Sequence, residues 1–302
     1  MSRNTAILVS GMPRSGNTWV ARLLATAPGT ALTGREPMNP RGRQYALART
    51  LTGWSSLDSL TPRQTRALRS AYRGTNPWVY SRYGRRQWAA VLPRTRNILK
   101  DPFAMLSLPA VARTTGASAV LVYRHPGAAL ASYRRMGWQP DLDELAPVVR
   151  AHNEARTRSH PVDEQPRAGQ VGEPEAMGRF WNALYGMALN DAGRVPGLLV
   201  VSHAELAAGG ERAARRLFTE LGLEWSEQSE AELQQETGAV DSGELHNLHR
   251  RPSEVADSWR AQLSSGELET IEAVTSDVRA RLEAARFVLD DPADETTSRQ
   301  PS

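Results

Sequence analysis

Residues 6–19 read Ala6-Ile7-Leu8-Val9-Ser10-Gly11-Met12-Pro13-Arg14-Ser15-Gly16-Asn17-Thr18-Trp19: an apolar run, a glycine-bounded turn and the start of an amphipathic stretch. The run at 6–9 fits a strand buried on both faces of a parallel sheet. After the turn, Trp19, Val20, Leu23 and Leu24 recur at helical spacing, so residues 18–27 are expected to be a helix. Backbone N–H groups in such a turn converge on an anion, and the helix N-terminus adds roughly half a positive charge. The spacing is close to the phosphate-loop pattern G-x-x-x-x-G-K-[ST], but Asn17 stands where that pattern has lysine. An ATPase or kinase of that type needs the lysine on its β/γ-phosphates. Ordinary nucleoside-triphosphate chemistry is therefore disfavoured, and a P-loop kinase is kept as the alternative reading. The cation here lies three positions earlier, as Arg14.

Three further apolar runs, at 97–100, 119–123 and 198–201, read as buried strands alternating with helical segments. The fold class expected is α/β, a parallel sheet flanked by helices in three layers around a P-loop. Helices are expected at 127–135 after Pro126, at 211–221 before Gly222, and after a capping box at Ser264 and Glu267. Residues 139–175, rich in Pro, Asp, Glu, Arg and Gly, read as a long mobile loop or lid. Residues 1–289 are read as one domain, with an irregular insertion at 38–95 and a disordered tail at 290–302.

The 302 residues are 40% hydrophobic and 23% charged, the composition of a globular chain able to bury a substantial core. No run of 18 apolar residues exists, so a membrane span is not expected, and the stretch at 6–9 is too short for a signal-peptide core. The absence of cysteine excludes disulfides and thiolate chemistry and is compatible with a reducing cytoplasm. A net charge of +4 suits an anionic partner. The basic residues read as spread along the chain rather than gathered into an aromatic-interleaved patch, which argues against nucleic acid. They include a single lysine, Lys100, at the end of a predicted strand.

The segment Pro13-Arg14-Ser15-Gly16-Asn17-Thr18-Trp19 resembles the 5′-phosphosulfate loop of sulfotransferases, where a Lys or Arg precedes Ser-Gly-x-Thr. The resemblance implies that the donor is 3′-phosphoadenosine-5′-phosphosulfate and the product 3′-phosphoadenosine-5′-phosphate, with no metal. Arg14 would contact the oxygen bridging sulfur and phosphorus, Ser15, Gly16, Asn17 and Thr18 the 5′-phosphate, and Trp19 the adenine. The stretch Val120–Arg135 resembles the family's second element, a strand ending in Arg with a Ser eight residues on. By that likeness Arg124 and Ser132 would bind the 3′-phosphate, for which a guanidinium fork is well shaped. The run His249-Arg250-Arg251-Pro252, followed by Trp259, resembles the segment that closes over the same phosphate. It has Arg-Arg-Pro where the family has Arg-Lys-Gly. His203 occupies a position that is Tyr in the family.

Sulfuryl transfer, like phosphoryl transfer, asks the protein for position, a cation at the leaving oxygen and a base for the acceptor proton. Arg14 is the expected leaving-group cation and Lys100 a second candidate. Glu36, in Thr33-Gly34-Arg35-Glu36-Pro37, is similar to the Glu-Pro of carbohydrate-type sulfotransferases and is the favoured base. Asp101 and His125 are alternatives. The acceptor is expected to be a carbohydrate, glycolipid or other small metabolite. The rings of Trp54, Tyr72, Trp78, Tyr80, Tyr83 and Trp88 are candidates either for its pocket or for core.

Overall fold

The computed structural model describes residues 5–41, 45–81, 85–155, 161–163, 165–166, 169–238 and 258–289. Five strands form one parallel sheet: β1 (Ile7–Ser10), β2 (Thr30–Leu32), β3 (Arg96–Lys100), β4 (Ser118–Tyr123) and β5 (Leu199–Ser202), in the order β2-β3-β1-β4-β5. Four of these strands are the apolar runs of the sequence. Strand β2, three residues at the edge, is too short to give a periodic signal.

The central strand shows why three layers form. Side chains alternate across a strand, so Ile7 and Val9 face one way and Leu8 the other. Ile7 and Val9 join Ile98, Val120 and Val122 in a core closed by α1 (Asn17–Leu24), α7 (His203–Glu220) and α8 (Glu227–Gly238), through Val20, Leu23, Phe218 and Leu233. Leu8, Leu99 and Leu121 point into the opposite core. That core is filled by Leu68, Val111, Leu130, Leu145, Trp181 and Ile271. These come from α2 (Pro62–Tyr72), α3 (Leu108–Thr115), α4 (Pro126–Met136), α5 (Leu142–Ala155), α6 (Glu173–Ala192) and α9 (Ser265–Ala285).

The structure corrects one expectation. Residues 142–155, read as loop, form α5, because Leu142, Leu145, Val149 and His152 recur at helical spacing and are buried, with Pro147 accommodated inside. The helix expected at 211–221 follows a break at Gly210 (φ 55°, ψ −134°), and a shorter helical stretch from His203 precedes the break. The Ser264–Glu267 capping box opens α9 as expected. The expected tail at 290–302 lies outside the described residues. Among those described, no helix is long and apolar enough to cross a membrane.

Candidate functional site

The loop after β1 is set by two close approaches. Gly11 has φ 146°, and a Cβ there would sit 2.1 Å from the Val122 carbonyl oxygen, so only glycine lets the chain turn against the end of β4. Gly16, at φ 93°, precedes α1, and its Cβ would meet the His203 ring at 2.1 Å. Arg14 takes φ 72° without being glycine, a left-handed backbone that costs roughly 1–2 kcal/mol. No side chain caps α1, so its first-turn N–H groups keep their capacity for an anion.

Two loop side chains, those of Asn17 and Ser15, bond within the protein, which leaves the expected phosphate contacts of this turn to its backbone N–H groups. Asn17, in the lysine slot of the phosphate-loop pattern, is buried, and its Nδ2 donates to the carbonyls of Gly11 (2.8 Å) and Met12 (3.0 Å). It holds the loop closed. The Ser15 hydroxyl is buried 2.8 Å from the Tyr185 hydroxyl. Tyr185, on α6, also donates to the Val122 carbonyl (2.8 Å) and accepts from the Met12 N–H (3.2 Å). One phenol thus joins loop, β4 and α6. Tyr185→Phe strands the Met12 N–H and the Ser15 hydroxyl, and each buried polar group so orphaned costs about 1–3 kcal/mol. A lower urea midpoint with an unchanged slope is the expected reading, and an unchanged midpoint would remove this role.

At the end of β4, Trp181 Nε1 donates to the Arg124 carbonyl (3.0 Å) and fixes the turn from which the Arg124 side chain projects. Burial, then the charges of Arg135 and Arg14, push Arg124 down to about 10. Arg14 Nε donates to Ser132 Oγ (3.0 Å), and Ser132 is buried on α4. The side chains assigned by resemblance to opposite ends of a nucleotide, Arg14 and Ser132, are therefore in contact. Among the described residues, no carboxylate pairs with Arg14 or Arg124. His125 does not reach this site: its Nδ1 accepts from the Gly127 N–H (3.1 Å), and its ring stacks on Trp259 at 4.5 Å. Arg250 and Arg251 lie outside the described residues. His203 packs edge-on to Trp19 (5.1 Å). Burial, then Arg124, pushes it down to about 3, so it is neutral near pH 7.

Across the cavity, Lys100 Nζ and Asn39 Nδ2 donate to the two carboxylate oxygens of Glu36. Burial pushes Lys100 down, against the pull of Asp101. The Asp101 carboxyl is turned away: it accepts from the N–H groups of Met38 (2.6 Å) and Phe103 (3.1 Å), capping the turn after β3. Burial raises it to about 7, against those bonds and Lys100. Of the rings singled out in the sequence, Trp54 faces the cavity, Tyr72 and the body of Tyr80 pack inward, and Trp78 and Trp88 are exposed. Tyr83 is outside the described residues. Trp54 stacks on Phe103 at 4.4 Å and meets Phe180 at 6.1 Å. With Tyr133 and Trp138 they make an aromatic wall. Glu144 of α5 ties this wall to the segment carrying Glu36, pairing with Arg41 and accepting from the Trp54 N–H (3.1 Å).

Arg14, Gly16, Asn17, Thr18, Trp19, Glu36, Lys100 and Arg124 all line one cavity of about 820 Å³ at the C-terminal edge of the sheet, where α/β folds place ligands. Sequence reasoning missed Tyr185, Glu144, Arg41 and most of the aromatic wall. Among the described residues, no cluster of three His, Asp or Glu is arranged to hold a metal ion.

The model of the Sulfotransferase family matches residues 6–227. Similar solved structures include a sulfotransferase from Alicyclobacillus acidocaldarius, 14% identical over 94% of this chain and 97% of that one, with a TM-score of 0.46. Sulfotransferase STF9 from Mycobacterium avium is 13% identical over 92% and 76%, with a TM-score of 0.43. Sulfotransferase STF1 from Mycobacterium tuberculosis is 16% identical over 86% and 77%, with a TM-score of 0.38. No curated protein sequence matches the chain.

Proposed function

Because the chain belongs to the sulfotransferase family, we propose that it moves a sulfuryl group from 3′-phosphoadenosine-5′-phosphosulfate to the hydroxyl of a carbohydrate, glycolipid or other small metabolite, in a reducing cytoplasm. The observation that carries the reading is charge without counter-charge. Arg14 and Arg124, with Arg135 close enough to depress Arg124, converge beside the uncapped N-terminus of α1. Like charges gathered in a partly buried place oppose one another, and a doubly phosphorylated nucleotide relieves that repulsion at both ends.

The residues divide the work. The loop N–H groups and Thr18 hold the 5′ end, Trp19 and His203 offer ring surface, and Arg124 with Ser132 holds the 3′-phosphate. Glu36 takes the proton of the acceptor hydroxyl as its oxygen bonds to sulfur. The sulfur–oxygen bond to the leaving phosphate breaks, and Arg14 meets the charge that collects on that oxygen. Lys100 holds Glu36 aimed into the cavity. It is also placed to shift toward the sulfuryl oxygens as their charge grows.

Titration with 3′-phosphoadenosine-5′-phosphate against ATP, followed by thermal unfolding, tests this. At about 100 times its Kd the first ligand adds about 2.7 kcal/mol of stability, ATP adds far less, and Arg124→Ala loses most of the gain. Turnover persists in EDTA, since guanidinium and ammonium groups supply the charge stabilisation. Preference for ATP, or a strict Mg²⁺ requirement, would overturn the proposal in favour of a kinase.

A further inference from the structure

Although basic residues occur throughout the chain, one segment corrects the reading of an even spread. Between Asp58 and Asp101 the sequence carries ten Arg and Lys residues and no Asp or Glu, against a net charge of +4 for the whole protein. Helix α2 lies inside this segment. Its apolar face, with Leu68, Ala71 and Tyr72, is buried. Its outer face presents Arg63, Arg66, Arg69 and Arg73, all exposed, at spacings that stack them along one side.

Several arginines elsewhere on the surface find carboxylates, as in Arg22–Glu232 (3.0 Å), Arg179–Glu175 (2.8 Å) and Arg215–Glu211 (2.6 Å). The four on α2 pair with none among the described residues. Arg69 Nε donates only to the Thr114 carbonyl (3.2 Å).

Beside the stripe lies exposed apolar surface. Trp88 is 61% exposed, Val91 51% and Leu92 58%. Trp88 and Val91 are three residues apart in the 3-10 turn Arg85–Val91, so they project on the same side. The two features are bolted together. Asn97 Nδ2 donates to the carbonyls of Tyr72, at the end of α2, and Ala90 (3.1 Å each). Arg69, Arg73, Val91 and Leu92 line one groove of about 380 Å³, which continues along α2 past Arg66.

We propose that this face is a docking surface for an anionic lipid bilayer. The arginines match acidic headgroups, while Trp88, Val91 and Leu92 enter the interfacial layer, where indole and aliphatic groups gain from leaving water. Aliphatic side chains offer nothing to a nucleic-acid backbone, which is why the bilayer is favoured over a polynucleotide. The groove also touches Thr5, Asn97 and Thr115, at the N-terminal ends of the strands. The nucleotide cavity opens at the other edge, so docking leaves it accessible.

The test is co-sedimentation of the full chain with vesicles of phosphatidylcholine alone, or of phosphatidylcholine containing about one-third phosphatidylglycerol. Binding is expected only to the anionic vesicles and weakens steeply with salt. The quadruple variant Arg63→Gln, Arg66→Gln, Arg69→Gln, Arg73→Gln lowers partitioning by about fivefold per cation, roughly 10²- to 10³-fold in all. Leu92→Ser also weakens it, and both variants keep wild-type thermal stabilisation by 3′-phosphoadenosine-5′-phosphate, which reports their folding. The proposal is overturned if wild-type protein fails to sediment or binds neutral vesicles equally. Sedimentation unaffected by the arginine changes sinks it too. So does binding to duplex DNA that matches the vesicles and is indifferent to Leu92→Ser, which would identify a polynucleotide site instead.

Discussion

Arg14→Ala is expected to lower kcat by roughly 10³-fold or more, the range found when a cation is withdrawn from the charge that develops in group transfer. The variant is also expected to fold. Arg14 is exposed, and its side chain makes a single hydrogen bond within the described protein, to Ser132. Losing that bond costs only about 1 kcal/mol. Binding of the desulfated nucleotide is weakened far less than turnover, because Arg124 and the loop N–H groups are intact. Single-turnover rates with thermal unfolding on the same sample separate the two effects. Near-normal turnover would strip Arg14 of the leaving-group role. A parallel loss of nucleotide affinity and rate would make it a binding residue, in keeping with its contact to Ser132.

The second large effect is expected at Glu36. Glu36→Gln keeps the size of the side chain and its bond to Asn39 but cannot take a proton, so kcat falls about 10²–10⁴-fold with little change in KM. The geometry sharpens this expectation. With Lys100 on one oxygen and Asn39 on the other, the carboxylate is held in place facing the cavity. A change confined to KM would place the base elsewhere. Asp101 and His125 are poor substitutes, since each is committed to backbone N–H groups away from the cavity.

The parts of this site legible in the sequence are those set by local chain. The loop lies directly between β1 and α1, and Arg124 and Ser132 share one strand–helix unit, so spacing alone constrained them. Lys100 stands out as a solitary lysine and Glu36 by its neighbour Pro37. Nothing in spacing couples two residues 64 positions apart. The inward turn of Ser15 and Asn17 depends on Tyr185, which arrives from α6 some 170 residues later. Helix α5 was hidden because Pro147 and the acidic residues around it dominate the composition, while Leu142, Leu145, Val149 and His152 carry the periodicity.

The backbone of Arg14 has a consequence for engineering. Held at φ 72°, it occupies a conformation that glycine adopts freely, so a glycine there would relieve roughly 1 kcal/mol of strain. A library sorted only for heat tolerance is expected to enrich that change, and under the proposed leaving-group role of Arg14 it returns sturdier, inert protein. Sorting for retained turnover in the same round keeps the arginine.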